Sequence, residues 1–229
     1  LKEMGELTDA LDMAQRALKL RQRLYPERLD KLAISNHNVG SIYEEMGESE
    51  SALNYYAKGL RLLEKVFGPV HEELLDTLVS IGTLRVESNH AAQGIKVLRR
   101  ALRIAEHQLG PDHSKTGMML YHLGGALGDV GEVDEAEQIL RREIQIAQAN
   151  EGAVSESVRL SMRRLGVLLR NHGRLETANA LLTGALDLSV KLYGNESTEI
   201  ASELSALGQL RIEQNRLPDA RQLLERSLK

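Results

Sequence analysis

An all-α solenoid of antiparallel helical hairpins is the fold predicted by this 229-residue sequence, and three observations predict it. Glycine recurs at Gly40, Gly82, Gly124, Gly166 and Gly208, in steps of 42 residues. Between these marks the apolar residues follow helical spacing, as in the stripe Leu53, Tyr56, Ala57, Leu60, Leu63 and Phe67. Leu and Ala, both strong helix formers, dominate the apolar set, while aromatics make up 3%, with one Phe and no Trp.

Self-similarity at a fixed period is the signature of a repeat architecture. Three further series share the 42-residue step: Ala10, Ala52, Gly94, Ala136, Ala178 and Ala220; Gly5, Gly47, Asn89, Gly131, Gly173 and Asn215; and Leu18, Leu60, Leu102, Ile144, Leu186 and Leu228. The chain therefore divides into a partial repeat (1–31), four full repeats (32–73, 74–115, 116–157, 158–199) and a truncated one (200–229), read as a single solenoid. Residue 1 falls inside a helix, so the sequence reads as a piece of a longer protein.

The elements follow in order. A first helix, A, is expected over about 29–46 and a second, B, over about 49–67, with both recurring every 42 residues. The Gly47 series admits only Gly and Asn, which tolerate the left-handed conformation just past a helix end, so it marks the turn from A to B. The Ala52 series is small because two helices cross closely there. The Gly40 series is expected to be small for the same reason, against a neighbouring hairpin, and the Leu18 series to lie in the core. Gly68-Pro69, Gly110-Pro111, Gly152 and Gly194-Asn195 end the B helices. Pro218 falls in the first turn of the last B helix, where its missing N–H costs nothing. His113 is expected to brace the loop into the next A helix.

Gly in helix A, Gly at the turn and Ala in helix B together resemble the tetratricopeptide repeat, whose usual unit is shorter, at about 34 residues. The 42-residue unit, and Leu109-Gly110-Pro111-Asp112-His113 ahead of a new A helix, are similar to the kinesin light chain subclass over essentially the whole chain. The resemblance implies a right-handed superhelix with A helices on its concave side and B helices on its convex side. It also implies a groove that binds a protein or peptide segment. Kinesin light chains resemble one another in carrying paired asparagines in helix A. The matching positions here are His37-Asn38, Val79-Ser80, Tyr121-His122, Arg163-Arg164 and Ser205-Ala206, and only Asn38 keeps the amide.

Composition narrows the function classes. A net charge of −4 gives no sign of the basic stripe that nucleic-acid binding requires. The absence of Cys excludes disulfides and thiolate metal sites and fits a reducing compartment. No apolar stretch approaches the length of a membrane span, and no signal peptide opens the chain, so a cytoplasmic location is expected. No phosphate loop, H-E-x-x-H, calcium loop or G-x-S-x-G is present, and the seven histidines never pair at i, i+4. Gly124-Gly125-Ala126-Leu127-Gly128 has no strand ahead of it and belongs to the repeat pattern, not to a nucleotide loop. The expectation is a protein without catalytic residues, cofactor or metal.

The candidate site is the groove face of the A helices. Counting from the Gly40 series, the positions two and three before each Gly and one and four after it are left over from the core. They give His37, Asn38 and Glu44, with adjacent Glu45; Ser80 and Thr83; Tyr121, His122, Gly125 and Gly128; Arg163, Arg164 and Arg170, with adjacent Asn171; and Gln209. This set runs from acidic, through small and polar, to aromatic and imidazole, then basic, then neutral. Gly125 and Gly128 are expected to leave a shallow bare patch beside Tyr121, since Gly inside a helix costs about 1 kcal/mol relative to Ala. The three arginines are expected to hold an acidic or phosphorylated portion of a partner, because guanidinium groups bind carboxylates and phosphates bidentately. The alternative is that acids of an adjacent repeat, Asp129 or Glu213, pair with them. Two other functions stay open at this point: a regulatory arm of a larger enzyme, and a structural piece that associates with itself.

Overall fold

The computed structural model describes residues 2–228. Among the described residues there are eleven α-helices and no strand. They are α1 (Lys2–Leu24), α2 (Leu29–Glu45), α3 (Ser49–Phe67), α4 (Leu75–Glu87), α5 (Ala91–Leu109), α6 (Ser114–Asp129), α7 (Val133–Glu151), α8 (Glu156–Asn171), α9 (Leu175–Tyr193), α10 (Ala201–Glu213) and α11 (Leu217–Ser227). Even-numbered helices are the A helices and odd-numbered ones from α3 onward the B helices. Short 3-10 turns, Glu72–Leu74 and Thr198–Ile200, lead into α4 and α10.

The chain forms two compact units, residues 1–111 and 112–229, with the boundary at the Pro111 that follows a B helix. In the first unit α1 packs on α2, α2 pairs with α3, α3 packs on α4, and α4 pairs with α5. In the second, the hairpins α6–α7, α8–α9 and α10–α11 stack through α7 on α8 and α9 on α10, with α6 touching α8 and α8 touching α10.

The turn series is confirmed in its conformation. Gly47, Asn89, Gly131, Gly173 and Asn215 sit at φ of 77°, 61°, 82°, 74° and 58°. Gly5 departs from it: the residue lies inside α1, which runs through the expected turn as one helix. Pro218 stands in the first turn of α11, as expected.

Two packing expectations are corrected. The Gly40 series does not face a neighbouring hairpin. A Cβ on Gly40, Gly82, Gly124, Gly166 or Gly208 would lie 2.6–2.8 Å from Tyr56, Leu98, Leu140, Leu182 or Leu224, each in the B helix of the same hairpin. These five partners are themselves spaced by 42 residues. The Gly and Ala series are therefore two sides of one crossing, where A and B of a single hairpin meet. The Leu18 series is not uniformly core either: Leu18 is buried, Leu60, Leu102, Ile144 and Leu186 are half-buried, and Leu228 is 87% exposed. These residues lie at the seams, as Leu60 does beside the cluster of Ala52, Tyr56, Ile81 and Leu84.

A further periodic device starts the later repeats. His71 and His113 accept at Nδ1 from the backbone N–H of Glu73 and Lys115. Ser155 and Ser197 accept at Oγ from Val158 and Glu199. All four stand 42 residues apart and fill the N-cap role, satisfying an otherwise orphaned donor of the first turn. His113 does brace its loop in this way. No helix among the described residues is long and apolar enough to cross a membrane.

Candidate functional site

The second unit brings six of the fifteen groove candidates together. Tyr121, Gly125 and Gly128 on α6, and Arg163, Arg164 and Asn171 on α8, line one cavity of about 250 Å³. Consecutive A helices run side by side here because their B helices form the layer behind them. The cavity is not the bare patch expected from two glycines. Gly125 is buried, and a Cβ placed on it would fall inside the Arg164 guanidinium. That guanidinium lies over the Tyr121 ring, 4.2 Å from its centroid. A Cβ on Gly128 would come within 3.1 Å of Leu168. The glycines thus make room for side chains of the next A helix and leave no open depression of their own.

The arginine trio is also less uniform than the sequence suggests. Arg170 is buried, lies 3.3 Å from Glu213, and donates to Gln209 Oε1 at 2.6 Å and to Asn171 Oδ1 at 2.8 Å. The acid of the adjacent repeat is its counterpart, and Asn171 and Gln209 serve it. Arg163 Nε lies 3.5 Å from the Glu203 carboxylate, a fully buried group that also pairs with buried Arg159. Arg159 in turn pairs with Glu156, which accepts from the Tyr193 hydroxyl. Hydrogen bonding to Glu156 raises the Arg159 pKa and lowers that of Glu156. Among the described residues, no carboxylate pairs with Arg164. The expected basic patch therefore reduces to this one guanidinium.

His122 turns away from this cavity toward a second one on the same unit. Burial, with the Arg164 charge adding to it, brings its imidazole down to about 4, so the ring is neutral at physiological pH.

In the first unit the candidates have internal partners. Glu44 accepts from the Tyr56 hydroxyl, and burial followed by this carboxylate raises the phenol's pKa. The His37 ring lies 5.0 Å from that of Tyr56, with Nδ1 3.4 Å from Thr77 Oγ1, and burial lowers its pKa. Ser80 adjoins the same phenol. Thr83 donates to the backbone of its own helix at Val79. Asn38 and Glu45 are exposed. The acidic end of the expected gradient is thereby reduced, because Glu44 is committed to Tyr56.

Sequence reasoning missed Arg159, Glu203 and Glu143. The first two form a pair across 44 residues, a repeat length plus two, so the register held a signal for it. Glu143 stands where sibling repeats carry Ala, Gly or Ser.

The tetratricopeptide repeat family matches residues 1–65, 31–93 and 154–229. No curated protein sequence matches the chain. Solved structures extend the likeness in fold. BtubC (BKLC) from P. vanneervenii is 17% identical, with a TM-score of 0.82 over 96% of this chain and 89% of that one. A Podosopora anserina protein described as a kinesin light chain with nearly identical TPR-like repeats is 18% identical, with a TM-score of 0.75 over 88% and 95%. A Rap protein complexed with competence and sporulation factor is 15% identical, with a TM-score of 0.69 over 99% and 61%. With a 42-residue hairpin period, left-handed turns at its marks and these matches, the chain belongs to the tetratricopeptide repeat family.

Proposed function

We propose that the chain is a protein-interaction scaffold that holds an acidic segment of a partner on the A-helix face of residues 112–229, at Arg164. The observation that carries this reading is the state of that arginine. Stacking on Tyr121 engages the face of the guanidinium and Nη1 packs on Gly125, which leaves the in-plane N–H groups on the far side for a ligand. The ring also holds the side chain in place, so less rotamer freedom is lost when a carboxylate or phosphate arrives. The adjoining cavity gives an approaching side chain a recess of about 250 Å³. Tetratricopeptide hairpins supply binding surface, and the Rap protein of similar fold was solved with a bound factor. Both support binding as the role.

A peptide array screened with the 229-residue chain tests the reading. Selected peptides should be enriched in Asp, Glu, phosphorylated residues or a free C-terminal carboxylate. Loss of a charge-assisted hydrogen bond costs about 1.5–3 kcal/mol, so Arg164→Gln should weaken the selected peptides roughly tenfold or more. Wild-type affinity should also fall with added salt. Selection without acidic preference, or equal binding by Arg164→Gln, overturns the proposal. Arg163 is a poorer choice for the test, because its substitution also disturbs Glu203.

A further inference from the structure

The repeat register isolates one residue that the acidic-segment reading leaves unused. Ala17, Gly59, Ala101, Glu143 and Ala185 occupy the same place in successive units, 42 residues apart. An A helix rests on this position: a Cβ on Gly59 would lie 3.1 Å from Ala33 O, and Ala101 and Ala185 have no exposed surface. Glu143 puts a carboxyl group there and is 4% exposed. Its Oε2 has no hydrogen-bond partner, and neither has the buried Oγ of Ser161 on α8. Ser161 nonetheless lies near enough to favour the ionised carboxyl. Buried polar atoms are nearly always satisfied, and Glu143 lines a cavity with room for a donor supplied from outside.

That place is a cavity of about 380 Å³ between α6 and α8, floored by α7. Gly117 keeps the floor open: a Cβ there would come 3.2 Å from Ile146 and 4.0 Å from Glu143 Cγ. Met118, Ile146 and Leu160 give apolar walls. The other titratable side chains facing it are Lys115, Tyr121 and His122 from α6 and Glu151 from α7, while α8 contributes no charge. His122 is neutral at physiological pH. Lys115 and Glu151 are exposed at the mouth, so the carboxylates exceed the cations.

We propose that this cavity takes the alkylammonium or alkylguanidinium side chain of a lysine or arginine on a bound protein segment. The methylenes lie along Met118, Leu160 and Ile146, and the charged head donates to the Glu143 carboxylate. The inference stands apart from the Arg164 site, which uses different charged groups.

The test titrates n-butylguanidinium, and its uncharged isostere n-butylurea, into the full chain and follows the methyl resonances of Met118 and Ile146. At pH 8 the cation should bind roughly tenfold tighter than the urea. Its affinity should fall as pH drops below about 7, as Glu143 takes up a proton. Glu143→Gln should remove both the preference and the pH response. Glu143→Ala restores the residue of sibling repeats, so it should stay folded and lose the preference as well. Arg164→Gln should leave the preference in place, which separates failure here from failure of the acidic-segment reading. Equal binding of the two probes, or undiminished cation binding by Glu143→Gln, overturns the proposal.

Discussion

At the scale of single residues, two buried acids of the second unit behave in opposite ways. Glu203 is paired with Arg159, and breaking such a pair by removing one partner costs about 3–5 kcal/mol. Glu143 has no cation beside it. Burial, with the Glu151 charge adding to it and Ser161 opposing, pushes its carboxyl from an ordinary value of 4.5 up to about 7. Between these values the folded state binds more protons than the unfolded one. Stability therefore falls as pH rises from about 4.5 to about 7, and the loss persists above that range. At about 1.36 kcal/mol per unit, the effect is on the order of 3 kcal/mol. Urea midpoints should accordingly be higher at pH 5 than at pH 8 in the wild type, with a much flatter profile in Glu143→Ala. Parallel profiles for the two chains would mean that the carboxyl is solvated in solution. The same destabilised charge is what a cationic ligand would relieve, so affinity and stability are two readouts of one group.

At the scale of elements, the hairpin crossing sets what each position tolerates. Replacing Gly by Ala inside a helix ordinarily stabilises by about 1 kcal/mol, and all five sibling positions of Gly94 carry Ala. A consensus argument would therefore favour Gly94→Ala. The crossing of α4 and α5 forbids it: the new Cβ would lie 2.5 Å from Gly82 O and 2.6 Å from Val86 Cγ2. The backbone oxygen cannot rotate away, so the substitution should lower stability by roughly 1–3 kcal/mol through overpacking. A neutral or stabilising result by urea denaturation would show that α4 and α5 shift apart at little cost. The sequence announced the elements themselves, because Leu29–Glu45 and Ser49–Phe67 are bounded by turn residues and apolar stripes that need no tertiary information. It did not announce which helix a small residue faces. The 3.6-residue period identifies a face but not its partner, so the sequence alone does not separate a neighbouring hairpin from Tyr56 as the surface that Gly40 meets. The site was less legible for the same reason. Arg163, Arg164 and Arg170 look alike in sequence, and only the reach of side chains across A helices sends two to acids and the third to Tyr121. Glu143 was visible as the one charged member of the Ala17 series, but its lack of a partner belongs to the packed structure.

At the scale of the molecule, helices pack chiefly with their neighbours in sequence. α5 packs with α4, and α7 with α6 and α8. Stability of such an array is close to a sum of repeat terms and nearest-neighbour terms. Gly94→Ala acts through Gly82 and Val86 in residues 1–111, whereas Glu143→Ala acts through Gly117, Ser161 and the second cavity in residues 112–229. The two sets share no residue. At pH 8 the first change should lower stability and the second raise it, since it deletes a buried unpaired carboxylate. The double variant should then equal the sum of the single variants within about 0.5 kcal/mol, the margin usual for independent sites. The four chains can be compared by urea unfolding with far-ultraviolet circular dichroism, fitting the denaturant slope as well as the midpoint. If the slopes stay equal and the changes add, the repeats respond locally, and a ligand in the cavity over Glu143 stabilises its own hairpins without tightening those of the first unit. A coupling well beyond that margin would instead show that the repeats transmit strain along the array, and a cation bound at Glu143 would then be felt at the crossing of α4 and α5.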